Sequence, residues 1–484
     1  MNKMRLRRIA RRLGAFGLAM TGILAAVWVL PPVVHRARRL CPVVHPDSVT
    51  AAGAVPSYAR QTGMSCSACH TIFPELTPFG REFKLNGYTM TNTKQIEADA
   101  SSSAPALKFN ALAPLSVMFQ TSLTHYNGVA NHKENNGVVL GPLSLFYAGE
   151  ISQHTGTFLQ VTMADSGSNF GFDTVDLRYA NQATLSGVPV TYGLALDNAG
   201  TAEDLWNSTP HWGYPYMDAF PGRGDGPAVA SLSGAAPGAY AMVDNHVYAY
   251  VGVYRQPTGK SILMTDNTSG NTPVTSTGTV HAWSPYWRLA WQGNLGNDDN
   301  YLEVGTFGTN VRVYGTFTNA DADVAAGLSQ GNSDDFTDNA VDAQYELHLG
   351  SNMLVAHASD IYEAQKLNAA VAAGAVTDSV QHVNRINADV GYILGNRWEV
   401  RGAYFTTTGT HDAYAFTGTG DGFPNGGDGT VASVNQDGYI AQVDFLPTQN
   451  TKLSAQYTAY NKYGGLVDGA SINNALVINA WWMF

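Results

Sequence analysis

Residues 475–484 read Ala-Leu-Val-Ile-Asn-Ala-Trp-Trp-Met-Phe. Leu476, Ile478, Ala480, Trp482 and Phe484 fall on one side of this stretch if it is extended, because successive side chains of a strand point to opposite faces. A strand with one unbroken apolar and aromatic face is what a transmembrane β-barrel turns toward lipid. Trp481, Trp482 and Phe484 are expected to join the aromatic girdle where such a barrel meets the membrane interface.

The same two-residue rhythm runs back through the chain. In 246–254, Val247, Ala249, Val251 and Val253 alternate with His246, Tyr248, Tyr250, Gly252 and Tyr254, the pattern of a strand with two different faces. Further examples are 176–183, 188–196, 301–307 and 399–405. Short turns at 293–296, 350–352, 395–396 and 447–450 separate pairs of strands, and long Gly, Asn, Asp and Thr loops fall between them. The turns recur at intervals of about fifty residues, so 107–484 accommodates seven or eight hairpins and about sixteen strands. A propeller would repeat a stricter motif in every blade, and none is visible. The terminal strand resembles the assembly signal of outer-membrane barrels. The expected fold is mostly β: a transmembrane antiparallel barrel of about 16 strands whose lumen is plugged by a small N-terminal α-helical domain.

Composition agrees. Only 13% of residues are charged, against ~25% in ordinary soluble domains, while 44% are apolar, and there are 50 glycines, 24 tyrosines and 19 phenylalanines. This excludes disorder and argues against an ordinary cytoplasmic enzyme. Three cysteines are too few for a disulfide scaffold. A net charge of −11 gives nucleic-acid binding no support. Nine of the 27 basic residues lie within the first 39 positions, flanking the uncharged run 13–30. That is the form of a secretory leader, expected over 1–54 with cleavage after Ala54 at the small-residue site 52–54; a retained inner-membrane anchor is the alternative.

One motif carries chemistry. Residues 66–70 read Cys-Ser-Ala-Cys-His, and Cys-x-x-Cys-His is the attachment signature of c-type haem. Two thiols three positions apart add to the two vinyl groups of one porphyrin edge, and the adjacent imidazole of His70 ligates the iron. A zinc site would need a fourth ligand, and the other cysteine, Cys41, lies in the leader. One covalently attached haem c is therefore expected on Cys66, Cys69 and His70, in a domain spanning 55–97 and followed by a small-residue linker at 98–106. For the sixth iron position Met90 is chosen, twenty residues beyond His70; thioether ligation would raise the reduction potential. Met64 is read as packing, and Met118, His125, His132 and His154 remain as groups that reach in from elsewhere. The Pro/Gly-rich aromatic segment 205–243 folds inward to narrow the lumen or stays a surface loop. The acidic pairs Asp298-Asp299, Asp321 with Asp323, and Asp334-Asp335 are read as solvated turns and assigned no site, and 418–429 fits no calcium loop.

Residues 56–88 resemble the outer-membrane cytochrome-porin fusions of iron-oxidising bacteria. The matching positions are Pro56, Arg60-Gln61-Thr62-Gly63, Cys66, Cys69, His70, Pro74, Leu76, Gly80, Phe83-Lys84 and Gly87-Tyr88; Tyr58 stands where many members have phenylalanine. The resemblance implies oxidation of extracellular Fe(II), with the electron passed through a haem in the lumen to a periplasmic cytochrome c or copper protein. It also implies location in the Gram-negative outer membrane, in contact with outer-membrane lipid, and for a chain of such low charge density an acidic habitat. The alternatives are an electron conduit for another donor or for export, and a diffusion porin with a structural cytochrome plug.

Overall fold

The computed structural model describes residues 55–90, 95–98, 107–127, 136–163, 170–207, 209–212, 233–255, 283–314, 333–372, 376–411 and 433–484. The expected leader, 1–54, lies outside them. Three short helices come first: α1 (Pro56–Thr62), α2 (Cys66–Cys69) and α3 (Pro78–Leu85). Two brief strands, β1 (Gln95–Ala98) and β2 (Leu107–Asn110), pair with each other as an antiparallel ribbon.

Sixteen further strands form the barrel. They are β3 (Leu115–Tyr126), β4 (Asn136–Ser152), β5 (Thr155–Met163), β6 (Phe170–Leu185), β7 (Val188–Ala199), β8 (Ser233–Val243), β9 (Val247–Tyr254) and β10 (Ser284–Asn294). The series continues with β11 (Asn300–Tyr314), β12 (Ser333–Leu349), β13 (Asn352–Leu367), β14 (Val380–Leu394), β15 (Trp398–Gly409), β16 (Gln436–Thr448), β17 (Thr451–Lys462) and β18 (Ala475–Met483). Each pairs antiparallel with the next, and β18 closes onto β3 with Met483 opposite Met118 and Trp482 opposite Phe119. Closure leaves no edge, so every strand finds hydrogen-bond partners on both sides, as a hydrocarbon environment requires. The expected strand count is met. The barrel begins at Leu115 rather than at 107, because 107–110 is taken up by its pairing with β1; within the expected linker, 99–106 lies outside the described residues.

All four expected turns sit at one rim, the rim where β3 starts and β18 ends. The longer connections sit at the other. The two faces are as the alternation demands. In β9 the tyrosines Tyr248, Tyr250 and Tyr254 are buried inside, while Val251 on the opposite face is 63% exposed. Leu194, Leu289, Val304, Val400, Val443, Leu453 and Ile478 are exposed from other strands, an apolar belt far more continuous than a soluble surface carries. Phe484 is 61% exposed, and Trp482 stacks on Phe119 with ring centroids 5.8 Å apart. Trp481 departs from expectation: it faces inward, edge-on to Phe73 at 4.6 Å. As the neighbour of Trp482 on a strand it takes the opposite face.

Inside, the walls carry charge. Arg178, Arg288 and Arg401 are fully buried and ion-paired, Arg178 with Asp176 and Arg401 with Glu399 on their own strands and Arg288 with Asp342 two strands away, the polar interior that complements an apolar exterior.

Candidate cofactor site in the barrel bore

The helices occupy the short-turn half of the bore. Pro56 starts α1, where its missing N–H costs nothing, and Gly63 ends it in the left-handed conformation at φ 70°. A single turn, α2, carries both cysteines, and His70 follows in extended backbone. Thr77 then ties the next helix to this turn: its hydroxyl caps α3 by accepting from Gly80 N–H at 3.1 Å and donates to the Ala68 carbonyl at 2.6 Å. The two helices meet so closely that a Cβ on Gly80 would lie 2.2 Å from the Cys69 carbonyl oxygen. Gly80→Ala is therefore expected to cost about 1–3 kcal/mol by overpacking and to reduce the amount of cofactor retained at the motif. Quantitative haem staining of the purified variant checks this; wild-type loading would show that the contact is not critical.

The wall grips the plug throughout its length. Ser57 Oγ and Gln61 Nε2 both donate to the Ala148 carbonyl at 2.9 Å, and Tyr58 Oη donates to the Thr157 carbonyl at 2.7 Å. Cys66 N–H donates to Gln449 in a short turn at 3.1 Å, which sets the motif at the short-turn mouth. Arg81 pairs with Glu346 at 2.6 Å, and Tyr88 Oη donates to Asp176 at 2.6 Å. Arg401 holds Glu75 of the plug together with the wall carboxylates Glu399 and Asp389. Gly156 in β5 makes room for the plug backbone at Gly87 and Tyr88, since a Cβ there would lie 2.2 Å from the Gly87 carbonyl.

From the opposite rim, residues after β7 fold inward. A 3₁₀ turn, Gly200–Glu203, leads to buried Leu205 and Trp206 and to a second one, Pro210–Trp212. Asn207 Nδ2 donates to the Pro74 carbonyl at 3.0 Å, and Lys84 Nζ of the plug donates to the Asp204 carbonyl at 2.8 Å. The inward reading of this segment thus holds for 205–207 and 209–212, and β8 already starts at Ser233; 208 and 213–232 lie outside the described residues. Plug and loop meet in the bore.

A cavity of 340 Å³ remains between the plug and the wall, within the ~300–1,000 Å³ of ordinary cofactor sites. Its lining includes Cys69 and His70 from the plug, and Met118, Phe146, Trp481 and Met483 from the wall. The residues fit a covalently held haem in three ways, and the cysteines do not suit a reactive dithiol. His70 Nδ1 lies 3.1 Å from the Glu75 carbonyl; a carbonyl only accepts, so the proton sits on Nδ1 and the Nε2 lone pair is left to bind a metal. Burial holds the imidazole down to about 4, so the neutral, ligating form prevails above that pH. Burial also pushes the Cys69 thiol up to about 11, the reverse of what a reactive dithiol needs. Finally, Trp481 presents an indole N–H that is buried without an acceptor, and it lines the same cavity, where a carboxylate-bearing cofactor would satisfy it.

The methionine expected as sixth ligand lies elsewhere. Met90 is 38% exposed, its sulfur accepts from Asn86 Nδ2 at 3.4 Å, and it is absent from the cavity lining. Met64 is exposed, and His125 and His154 do not line the cavity; His132 lies outside the described residues. Sequence reasoning kept Met118 only as a distant possibility and missed Met483 and Trp481, whose signal is their alternation in β3 and β18. The acidic pairs do structural work where described: Asp334 accepts from Ala369 N–H at 2.8 Å and Asp335 pairs with Arg312 at 2.6 Å. Asp298 and Asp299 lie in a short turn, while 321, 323 and 418–429 lie outside the described residues. Among the described residues no cluster of three or more His, Cys, Asp or Glu is placed to hold a metal ion.

The fold and site define a closed sixteen-stranded β-barrel of membrane type with a filled bore. No family model and no curated protein matches the chain. Among solved structures it is similar to OprB of Pseudomonas putida, at 12% identity over 76% of this chain and 93% of that one, with a TM-score of 0.47. It is similar also to the outer membrane channel DcaP of Acinetobacter baumannii (11% identity, 76% and 96% covered, TM-score 0.43). A third likeness is to an anion-selective porin from Comamonas acidovorans (11%, 76% and 98%, TM-score 0.42).

Proposed function

We propose that this chain is an outer-membrane c-type cytochrome that takes single electrons from extracellular Fe(II) and delivers them to a periplasmic cytochrome c or copper protein. The observation that carries this reading is the cavity inside the bore onto which Cys69 and His70 open. Cys66 and Cys69 would hold the haem by thioether bonds and His70 would ligate its iron; when bound, the group supplies reversible one-electron transfer. The protein's own part is to seat that site, exclude solvent from it, keep His70 neutral by burial and orient its ring through the Glu75 carbonyl. No acid-base pair is required of the wall. Fe(II) as donor rests on the resemblance of 56–88, and location in the outer membrane rests on the apolar belt and closed barrel.

The cavity lies nearer the short-turn rim, which in such barrels faces the periplasm. From Met118 to the end of β3 at Tyr126 a tilted strand climbs roughly 20 Å, so Fe(II) would have to approach from within the opposite half of the bore. The test is to add Fe(II) outside intact cells and follow the reduced-haem absorbance, with a small organic reductant as control. Reduction by both is expected; reduction by the control alone would remove iron as the donor and leave a conduit for another.

A further inference from the structure

Two thioethers line the cavity with His70: Met118 in β3, 4% exposed, and Met483 in β18, 5% exposed, paired directly across the strands that close the barrel. Both belong to the wall, and neither belongs to the motif-bearing plug. The other side chains there that are able to bind iron are already committed. Tyr58 donates to Thr157, Tyr88 donates to Asp176, Lys84 donates to Asp204, and Asp173 accepts from Gln160 at 2.8 Å. Among the described residues no second histidine lines the cavity.

Resting on the haem reading above, we propose that Met118 supplies the sixth ligand to the haem iron, so that cofactor ligation is shared between plug and barrel wall. Met118 is distinguished from Met483 by Gln120, two residues along the same face of β3, whose Nε2 lies 3.6 Å from the Met118 sulfur and which also lines the cavity. A thioether sulfur carries two lone pairs. An amide donor on one orients the side chain and leaves the other for a soft ligand bond, the role outer-shell hydrogen bonds take at metal sites. Met90 lies outside the cavity. Ligation from the wall also has an electronic consequence: a thioether in this position raises the reduction potential relative to a second imidazole.

The experiment compares full-length wild type with M118L, M118H, M483L and M90L. Each is assayed for covalent haem by staining after denaturing electrophoresis, for the weak far-red charge-transfer band of thioether-ligated ferric haem, and for midpoint potential. Faster migration of unboiled samples verifies barrel closure. Expected are the band in wild type, M483L and M90L, its loss in M118L, and in M118H a low-spin spectrum without the band and at lower potential. The histidine variant keeps the test decisive if M118L loads poorly. Covalent haem in M118L with band and potential unchanged would overturn the assignment and leave the haem reading standing. Absence of covalent haem from wild type would overturn the haem reading itself, and Met118 with it.

Discussion

Replacing Cys66 and Cys69 together by alanine is expected to abolish covalent haem while leaving a closed barrel in the membrane. The effect should be all or none, because thioether attachment is stoichiometric in the two thiols. The cost to the fold should stay near 1 kcal/mol, since what the plug takes from this turn is mostly backbone: Cys66 N–H to Gln449, His70 N–H to the Cys66 carbonyl at 3.0 Å and Thr77 N–H to the Cys69 carbonyl at 2.9 Å. Haem-stained denaturing gels and unboiled-sample mobility give the two readouts. A stained band in the double variant would show attachment elsewhere and refute the site.

A comparably large change is expected in permeability. Wild-type protein in liposomes should pass no small sugar, because the plug and the inward 200–212 segment meet in the bore through Asn207 with Pro74 and Lys84 with Asp204. Arg401→Ala should open it. Removing that guanidinium leaves Glu75, Glu399 and Asp389 buried together around the vacated position, and stranding partners of a buried ion pair costs about 3–5 kcal/mol. The strain falls on the contact that joins plug to wall, so the plug should loosen before the barrel does. Liposome swelling with a graded sugar series is the measurement. Free passage of sugars through the wild type would favour the diffusion-porin alternative over electron transfer, whereas a tight wild type and a leaky Arg401→Ala would support the plugged arrangement.

The barrel was legible because its physics is local. Alternation in 246–254 places Val247 and Val251 outside and Tyr248, Tyr250 and Tyr254 inside, in 475–484 it places Ile478 outside and Val477 and Met483 inside, and turns such as 350–351 mark the rim. The cysteine pair and His70 were legible for the same reason, being five consecutive residues. What resisted reading was everything that depends on closure. Arg401 and Glu75 are separated by 326 positions, and no periodicity reveals that two such residues face each other across a bore. Counting along the chain from His70 favours Met90, whereas the methionines that line the cavity come from the first and last strands of the barrel. As aromatics of the terminal strand Trp481 and Trp482 read alike, although adjacency on a strand is itself the reason they part.

That the first and last barrel strands meet beside the cavity bears on how the molecule is made. Met118 and Met483, Phe119 and Trp482 face each other across the seam, so the pocket has no complete lining until the final strand zips onto the first. Pocket and seam are thus one structural event: a change that keeps β18 from pairing with β3 removes part of the lining as well.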